Sequence, residues 1–389
     1  PYLIQTAEDL YMFSRFVNAG LKQDACFKLT NDIDMSDADY ASVYEFKGVL
    51  DGDFHVIRNL TINEASSNVG LIGYLYGGTI KNLGIEDSNI TGQKYTGAFA
   101  GKTMHATIEN CYTNASVTGT GDTGGLVGMF NSSHMYNCYS LANVKVNGTS
   151  GGGIAGSFNT SLDKAYPVVV DNVYSNATVS ATKYSGMLAG WDEGSDMENT
   201  PTYITNAYIV AKVWSCGNHQ REVNVLTNEQ LSDGTLLNSL NGNVVDGYDK
   251  WMVAENGLPM LESFDDTLKA VSNLVAEVVD YKTIQLSWEA PKGAESYIVE
   301  RFTADGEWVE VATTTETTYI ASGVKAGKEY TYRVKAVKDE EISEAVEVKA
   351  TATLQGEVEL TITPNGANQF DLSWTSVEGA TRYIIYRKD

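Results

Sequence analysis

One short glycine-containing phrase is written five times between Val69 and Val213. The copies are Val69-Gly70-Leu71-Ile72-Gly73, Gly97-Ala98-Phe99-Ala100-Gly101, Gly124-Gly125-Leu126-Val127-Gly128, Gly152-Gly153-Ile154-Ala155-Gly156 and Gly186-Met187-Leu188-Ala189-Gly190. A second phrase follows each copy and is centred on Asn82, Asn110, Asn137, Asn172 or Asn206. The closing glycines lie 28, 27, 28 and 34 residues apart. A repeat of this length predicts a solenoid of stacked coils.

Apolar residues recur at fixed positions of each repeat. One column lies two residues before the closing glycine and a second lies two residues before the asparagine. Their members are Leu71, Phe99, Leu126, Ile154 and Leu188, then Ile80, Ile108, Met135, Val170 and Ile204. Short apolar runs of period two, broken by Gly and Asn, predict strands joined by tight turns. We therefore predict an all-β protein whose repeats form a right-handed parallel β-helix with three short strands per coil.

The recurring polar residues are expected to be structural. In-register asparagines would form a stacked ladder at one corner, with their amides bonding to each other or to turn backbone. The glycines would allow a positive φ or a close approach of neighbouring backbones. Cys111 and Cys138 occupy one slot of adjacent coils, where Leu83 and Val173 stand in other coils. Apolar replacements at that slot favour two buried free thiols over a disulfide.

The two phrases together resemble the GLUG repeat of bacterial secreted and cell-surface proteins. Gly124 to Gly128 and the run from Ile108 to Tyr112 match that pattern closely, whereas the first and last repeats match it more loosely. Such proteins, including regions that accompany immunoglobulin A peptidases, are usually described as adhesin-like. The resemblance implies an extracellular bacterial protein, secreted or attached to the cell surface.

Both ends of the repeat array carry signals of a cap. Thr6-Ala7-Glu8-Asp9 reads as a capping box that begins a helix ending near Gly20. A second helix is predicted from Thr227, followed by a strand pair between Trp251 and Leu261. Caps cover the open apolar ends of a solenoid. We therefore assign residues 1–265 to one capped solenoid domain.

The sequence from residue 266 has the texture of a β-sandwich. Inward-facing residues alternate around Trp288 and Tyr297, and again from Tyr330 to Ala336. This pattern resembles a fibronectin type III domain over residues 266–354, with Trp288 as the core tryptophan and Tyr330 as the tyrosine corner. Residues 355–389 repeat its beginning, since Trp374 and Tyr383 are nine residues apart like Trp288 and Tyr297. We expect this truncated second copy to continue beyond Asp389 in the natural protein.

Charge and hydropathy narrow the classes of partner. The chain has 27 basic and 50 acidic residues, and residues 1–266 carry 14 basic and 30 acidic ones, a charge of −16. Acidity along the whole chain argues against nucleic acid and anionic membranes as partners, because both bind clustered positive charge. No apolar run approaches the roughly 20 residues that span a bilayer. We expect no membrane insertion of this segment and a monomer.

Motif searches yield no catalytic residue, cofactor or metal site. Gly148-Thr149-Ser150-Gly151-Gly152 matches the letters of a hydrolase elbow but lies in a glycine-rich turn of the repeats rather than before a helix. Asp32, Asp34, Asp37 and Asp39 lack the glycine and glutamate of an EF-hand loop. The four histidines share no metal-ligand spacing.

Two features predict where a ligand binds. The fourth and fifth repeats carry seven extra residues before their asparagines, so segments beginning at Ser157 and Trp191 are expected to project as paired loops. Their candidate ligand-binding residues are Tyr166, Trp191, Asp192, Glu193 and Asp196. A tyrosine two residues after each of the last four asparagines predicts an outward stack, which is either a binding surface or self-stabilising. Its members are Tyr112, Tyr139, Tyr174 and Tyr208.

The function predicted from these features is adhesin-like binding of a glycan or of a host or matrix protein, without catalysis. Two alternatives remain open at this point. One is a β-helix enzyme that degrades polysaccharide, which would need two carboxylates facing one groove. The other is a structural stalk or spacer.

Overall fold

The computed structural model describes residues 1–160, 166–193, 202–210, 216, 223–354 and 356–388. The chain divides into two compact units, Pro1–Asp265 and Asp266–Asp389. Strands dominate both units, so the protein is all-β, as predicted. Neither helix in these ranges is long and apolar enough to cross a membrane.

Four sheets of parallel strands build the first unit. The asparagine sheet contains Tyr2–Ile4, Cys26–Leu29, Ile33–Asp34, Val49–Arg58, Thr79–Glu86, Thr107–Thr113, His134–Tyr136, Tyr139–Ser140, Val168–Ser175, Thr202–Val210 and Asn224–Leu226. The valine sheet contains Thr61–Asn63, Asn89–Thr91, Ser116–Gly119, Asn143–Val146 and Thr178–Ala181. The short sheet contains Tyr95–Thr96, Asp122–Gly124, Ser150–Gly152 and Tyr184–Gly186. The glycine sheet contains Ile72–Tyr76, Ala100–Met104, Val127–Asn131, Ala155–Asn159 and Ala189–Asp192.

Each complete repeat therefore contributes to four sheets, and the prediction of three strands per coil is wrong. The second repeat illustrates the difference, because it enters the short sheet at Tyr95–Thr96 and the glycine sheet at Ala100–Met104. The glycine phrase separates these two segments. A run that reads as one strand in the sequence is thus bent into two strands of different sheets.

Equivalent residues of successive repeats pair in register. Ile108 lies between Ile80 of the preceding repeat and Met135 of the following one, as the column in the sequence predicts. The other predicted column is also interior, since Leu71, Phe99, Leu126, Ile154 and Leu188 are all fully buried. Both columns belong to one continuous apolar core that runs through the repeats.

The predicted asparagine ladder is confirmed. Asn110 donates from Nδ2 to Oδ1 of Asn82 at 2.9 Å, Asn137 donates to Asn110 at 2.8 Å, and Asn172 donates to Asn137 at 2.9 Å. Asn206 departs from the series and donates to Oδ1 of Asp171 at 2.8 Å. All five asparagines have φ between 47° and 54°. Asparagine tolerates this left-handed region better than most residues, which explains its recurrence at the corner.

The phrase glycines are required for close packing of backbones. A Cβ on Gly128 would lie 2.4 Å from the backbone nitrogen of Thr96, and one on Gly101 would lie 2.4 Å from the Cα of Asn68. Both neighbours belong to the preceding coil. Of the two reasons predicted for the glycines, close approach of the backbones is confirmed, whereas positive φ occurs at the asparagines.

Cys111 and Cys138 are buried free thiols, as predicted. The backbone N–H of Cys111 donates to Sγ of Cys138 at 3.4 Å. Burial raises the pKa of the Cys111 thiol well above its usual value. Both side chains therefore serve as core residues of adjacent coils.

The predicted N-terminal helix spans Ala7–Asn18. Thr6 and Asp9 form the capping box: the backbone N–H of Asp9 donates to Oγ1 of Thr6 at 3.2 Å, and that of Thr6 donates to Oδ2 of Asp9 at 3.0 Å. Leu10, Phe13 and Val17 are buried in the core that the repeats share. The helix therefore covers the beginning of the stack.

The C-terminal part of the unit is arranged differently from the prediction. Its helix spans Thr235–Gly242 rather than starting at Thr227. The predicted strand pair is confirmed as a hairpin of Trp251–Val253 with Pro259–Leu261, which precedes a 3-10 turn at Glu262–Phe264. These elements pack beside the repeats, against a row of tyrosines from successive coils, instead of over the end of the core.

The second unit is a sandwich of antiparallel strands. One sheet contains Ser272–Asp280, Thr283–Glu289 and Thr318–Ser322. The other contains Ser296–Phe302, Trp308–Thr314, Glu329–Lys338, Glu341–Ile342 and Val346–Thr351. Trp288 and Tyr297 pack at 5.3 Å in the core between the sheets. The backbone N–H of Lys325 donates to the hydroxyl of Tyr330 at 2.9 Å, which places Tyr330 in the predicted tyrosine corner.

The end of the chain contributes one hairpin. Leu360–Pro364 pairs with Phe370–Trp374, and Val377 donates its backbone N–H to the hydroxyl of Tyr383 at 2.7 Å. The apolar side chains of the hairpin are exposed. Residues 355–389 belong to the same compact unit as the sandwich.

Candidate functional site

The predicted outward tyrosine stack exists but is covered. Tyr112 and Tyr139 stack at 4.7 Å and 5°, and Tyr139 and Tyr174 stack at 5.0 Å and 4°. Tyr208 continues the column, and the four side chains are between 1% and 6% exposed. The prediction that this stack offers a ligand surface is therefore wrong.

The cover is the C-terminal segment of the first unit. The Trp251 ring lies 5.6 Å from Tyr139 and 5.7 Å from Tyr174, and Phe264 meets Tyr112 edge-on at 4.7 Å. The apolar residues of the segment thus find their partners in the tyrosine column. Burial raises the pKa of each stacked tyrosine, so the hydroxyls stay protonated at neutral pH.

The candidate residues of the longer repeats separate into different environments. Trp191 lies in a strand of the glycine sheet rather than in a projecting loop. Asp192 is fully buried and accepts a hydrogen bond from Oγ1 of Thr202 at 3.3 Å, so it faces no ligand. Glu193 is exposed, and Asp196 lies outside the described residues. Tyr166 is exposed and stacks on His105 at 4.2 Å.

Trp191 and Glu193 line a cleft of about 340 Å³ on the side of the stack formed by the short and glycine sheets. We call it the aromatic cleft. Tyr184 of the same repeat also lines it, and the other lining residues come from earlier repeats: Lys94, Tyr95, Asp122, Met129, Thr149, Ser150, Ser157 and Asn159. The cleft thus combines aromatic rings with carboxylates, hydroxyls and an amide, a mixture typical of sites for polar organic ligands.

Strand register explains why these residues meet. In the short sheet Tyr95 pairs with Asp122, Asp122 with Ser150 and Ser150 with Tyr184. In the glycine sheet Met129 pairs with Ser157, and Ser157 pairs with Trp191. One column of equivalent positions therefore lies in the short sheet and the other in the glycine sheet, and the two face one another across the bend at the glycine phrase. Each coil contributes one residue to each column.

The cleft holds a partly buried carboxylate, that of Asp122. Ser157 donates from Oγ to Oδ2 of Asp122 at 2.9 Å. Burial raises the pKa of Asp122, and the charge of Glu193 adds to the rise, although Ser157 and Lys94 act in the opposite direction. Asp122 therefore holds its proton more firmly than an exposed aspartate does.

Aromatic rings border the cleft at both ends. Tyr184 and Trp191 pack edge to face at 4.8 Å and 63°. The ammonium group of Lys183 lies 4.7 Å from the centre of the Tyr184 ring, and that of Lys94 lies 4.8 Å from the centre of Tyr95. These contacts hold the rings in place while leaving them partly exposed to the cleft.

Sequence reasoning found Trp191 and Glu193 but missed the other side of the cleft. Tyr95, Asp122 and Tyr184 occupy the position six residues before the closing glycine. That position varies between aromatic and polar residues, whereas the core columns stay apolar. A comparison of variable positions between repeats would have identified it.

The motif that resembles a hydrolase elbow lacks the surroundings of one, although its Ser150 lines the aromatic cleft. Ser150 lies in a strand of the short sheet, and its Oγ donates to the carbonyl of Gly156 at 2.7 Å, so its surroundings are not those of a hydrolase elbow. Within the ranges that the structure describes, no group of three or more His, Cys, Asp or Glu residues could hold a metal ion.

A family model matches part of the sandwich, and two curated proteins match parts of the chain. Residues 279–346 match the family model of the PBP1-like, fibronectin3-like domain. Halomucin of Haloquadratum walsbyi is 35% identical over 109 residues, which cover 26% of this chain and 1% of that protein. The human receptor-type tyrosine-protein phosphatase H is 26% identical over 231 residues, which cover 57% of this chain and 19% of that protein. The chain thus spans about a fifth or less of the length of these relatives.

Solved structures with a similar segment are also fibronectin type III-like. An Fn3-like protein from Clostridium thermocellum is 28% identical, covering 24% of this chain and all of that one, with a TM-score of 0.21. The fn3 domain of the human collagen alpha-1(XX) chain is 23% identical, covering 23% of this chain and 89% of that one, also with a TM-score of 0.21. The family match over residues 279–346 and the tyrosine corner identify the sandwich as a fibronectin type III-like domain.

Proposed function

We propose that this chain is an extracellular, adhesin-like glycan-binding protein and that the aromatic cleft is its binding site. The observation that carries the proposal is the pairing of the Tyr184 and Trp191 rings above a floor formed by Asp122 and Ser157. Sugars present an apolar face of C–H groups and an edge of hydroxyls. A half-exposed aromatic pair beside the partly buried Asp122 and the buried Ser157 matches both surfaces.

The fold supports the same proposal. We propose that the first unit is a right-handed parallel β-helix of the GLUG type, since five glycine and asparagine phrases pair in register. Its fibronectin type III-like neighbour acts as a spacer in this proposal. The match to a protein named as a receptor-type phosphatase is consistent with an extracellular location.

A glycan is a better occupant of the cleft than a protein partner. The cleft is concave and is bordered by polar residues and a few aromatic rings, whereas protein interfaces are broad and have an apolar centre. With the tyrosine stack buried, the first unit loses the apolar surface that the sequence offered for a protein partner.

A glycan array with the purified chain tests the proposal. Binding should weaken at least tenfold in Trp191→Ala, which corresponds to about 1.4 kcal/mol or more. Tyr203→Ala is the matched control, because Tyr203 is 54% exposed and lies in the asparagine sheet, away from the cleft. If no glycan binds, or if Trp191→Ala binds as well as the unchanged protein, the proposal is wrong.

Glycoside hydrolysis is a second candidate, favoured by one observation. Asp122 and Glu193 line the same cleft, and the pKa of Asp122 is raised by burial while Glu193 is exposed. A carboxyl group with a raised pKa beside an exposed carboxylate is the arrangement of an acid and base pair.

Product analysis separates the two candidates. An enzyme would release new reducing ends from a bound glycan, and both Asp122→Asn and Glu193→Gln would stop that release. Asp37→Asn is the control, since Asp37 is an exposed carboxylate outside the cleft. Binding without any release of reducing ends would reject hydrolysis and leave the binding proposal intact.

A further inference from the structure

The outer face of the glycine sheet continues from the cleft toward earlier repeats. Trp191 pairs with Ser157, Ser157 with Met129, Met129 with Lys102 and Lys102 with Tyr74. All five residues occupy one column of equivalent positions. Four steps of ~4.8 Å between parallel strands give a path of about 19 Å.

The far end of this path carries a second group of aromatic rings. Tyr74 and Tyr76 lie 5.8 Å apart, Tyr76 lies 6.1 Å from His105, and His105 lies 4.2 Å from Tyr166. Tyr76 and Tyr166 are 39% and 46% exposed. We call these four residues the distal aromatic patch. Exposed rings in contact with one another are unusual on an ordinary polar surface and indicate a place where a ligand packs.

The middle of the path is shaped to let a chain pass. Met129 and the stem of Lys102 are half-buried, and Ser157 is buried as a small polar residue of the floor. The ammonium group of Lys102 lies 5.2 Å from the centre of the Tyr74 ring, so it folds toward the patch rather than standing across the path. The surface between the two aromatic ends therefore rises little above the sheet and has both apolar and polar groups.

The charge of this face and of the first unit indicates which class of polymer can bind along the path. Two lysines of this face lie near acids: Lys47 contacts Glu45 at 2.7 Å, and Lys94 lies close enough to Asp122 to lower its pKa. The rest of the first unit is strongly acidic, with a charge of −16 over residues 1–266. A polyanion would be repelled by the unit as a whole, whereas an uncharged chain finds donors, acceptors and rings here.

Resting on the proposed function, we propose that the ligand is a linear, uncharged glycan that lies along the stack, across successive strands, from the aromatic cleft to the distal aromatic patch. The rise from coil to coil is similar to the length of one sugar unit in an extended chain. Each coil therefore faces about one sugar unit, and the two aromatic ends hold units several positions apart.

Chain-length dependence tests this inference. The probes are cello-, xylo-, manno- and malto-oligosaccharides from disaccharide to hexasaccharide, with oligogalacturonides as the anionic comparison. In the series that binds, affinity should rise about tenfold or more from disaccharide to pentasaccharide and then level off, because further units extend past the patch. Equal affinity for disaccharide and hexasaccharide, or tighter binding of the oligogalacturonides, would overturn the inference.

Two sets of variants distinguish this inference from the proposed function. Tyr76→Ala and Tyr166→Ala should weaken binding of the hexasaccharide about threefold to tenfold and leave the disaccharide unchanged. Trp191→Ala should weaken binding of both, and Tyr203→Ala should affect neither. If Trp191→Ala weakens binding and the two tyrosine variants do not, the extended path is wrong and the cleft remains the proposed binding site. If Trp191→Ala has no effect on binding, the extended path and the proposed function are both wrong.

Discussion

Trp251 donates its indole N–H to Oδ1 of Asn137 at 2.7 Å across 114 residues of chain. The same oxygen accepts the amide of Asn172 at 2.9 Å, and the amide of Asn137 also donates to the carbonyl of Asp249 at 2.9 Å. One asparagine of the ladder thus joins two coils to the segment that covers the tyrosine column. The covering segment is part of the folded unit and not an appendage.

Removal of the indole should therefore destabilise the first unit. Trp251→Ala leaves a cavity over Tyr139 and Tyr174 and is expected to cost ~3–5 kcal/mol in free energy of unfolding. Trp251→Phe keeps a ring but loses the hydrogen bond, at a cost of ~1–2 kcal/mol. Urea unfolding followed by circular dichroism measures both. An unchanged midpoint in Trp251→Ala would show that the segment is not needed for stability.

Within the ladder, backbone conformation and hydrogen bonding can be separated by substitution. Asn137 has φ of 54° and donates to two acceptors. Asn137→Ala loses the amide and strains the backbone, for a cost of ~2–4 kcal/mol, whereas Asn137→Gly should cost less because glycine accepts this φ. Asn206→Ala is the comparison at the end of the ladder and should have a smaller effect. Equal losses in the alanine and glycine variants would exclude a contribution from φ.

Most of the regular features of the fold could be predicted from the sequence. The apolar columns, the buried thiols and the capping box are found at their predicted residues, and the ladder is found from Asn82 to Asn172, with Asn206 bonded to Asp171 instead. The tyrosine column was predicted to face outward, and it does face away from the core of the coils. Its cover could not be foreseen, because Trp251 and Tyr139 belong to segments with no common pattern.

The site was harder to predict for a related reason. Trp191 stood out as an unusual residue, but Tyr95 and Asp122 reach it only through a bend that the glycine phrase places between two sheets. The expectation of three strands per coil does not include this bend. Function depends here on the positions that vary between repeats, whereas the repeat pattern reports only the constant ones.

A carboxylate near the start of the asparagine sheet should make stability depend on pH. Asp32 accepts hydrogen bonds from Nη1 of Arg58 at 2.6 Å and from the backbone of Val56 at 3.0 Å, and lies 3.1 Å from Nδ1 of His55. Burial acts to raise the pKa of Asp32, but the bonds from His55 and Arg58 outweigh it and hold the pKa well below the usual range. The ionised form is therefore favoured by folding.

Because the folded pKa lies below the unfolded value of about 3.9, this stabilisation is present above pH ~4 and is lost as the pH falls toward the folded pKa. Asp32→Asn should lower the free energy of unfolding by ~1 kcal/mol at pH 7, a value reduced by the partial exposure of the pair. The difference from the unchanged protein should narrow below pH ~4. Asp37→Asn should leave the profile unchanged. A gap that stays constant down to low pH would contradict this account of Asp32.

Close packing between coils leads to a last prediction, which concerns Gly128. An added Cβ would lie 2.4 Å from the backbone nitrogen of Thr96 and 2.5 Å from the carbonyl oxygen of Gly101. Both atoms belong to the preceding coil and are fixed by sheet hydrogen bonds, so Gly128→Ala must separate two coils or bend the strand. We expect a loss of ~3 kcal/mol or more from the free energy of unfolding.

The matched control is Gly242→Ala at the end of the second helix, where no atom lies within 4 Å of the added Cβ. Alanine has the higher helix propensity, so this variant should be neutral or slightly stabilising. Thermal unfolding followed by circular dichroism compares the two substitutions. Equal melting temperatures would mean that the coils can move apart at little cost. The aromatic cleft depends on the opposite property, because its two columns meet only while the coils keep their spacing.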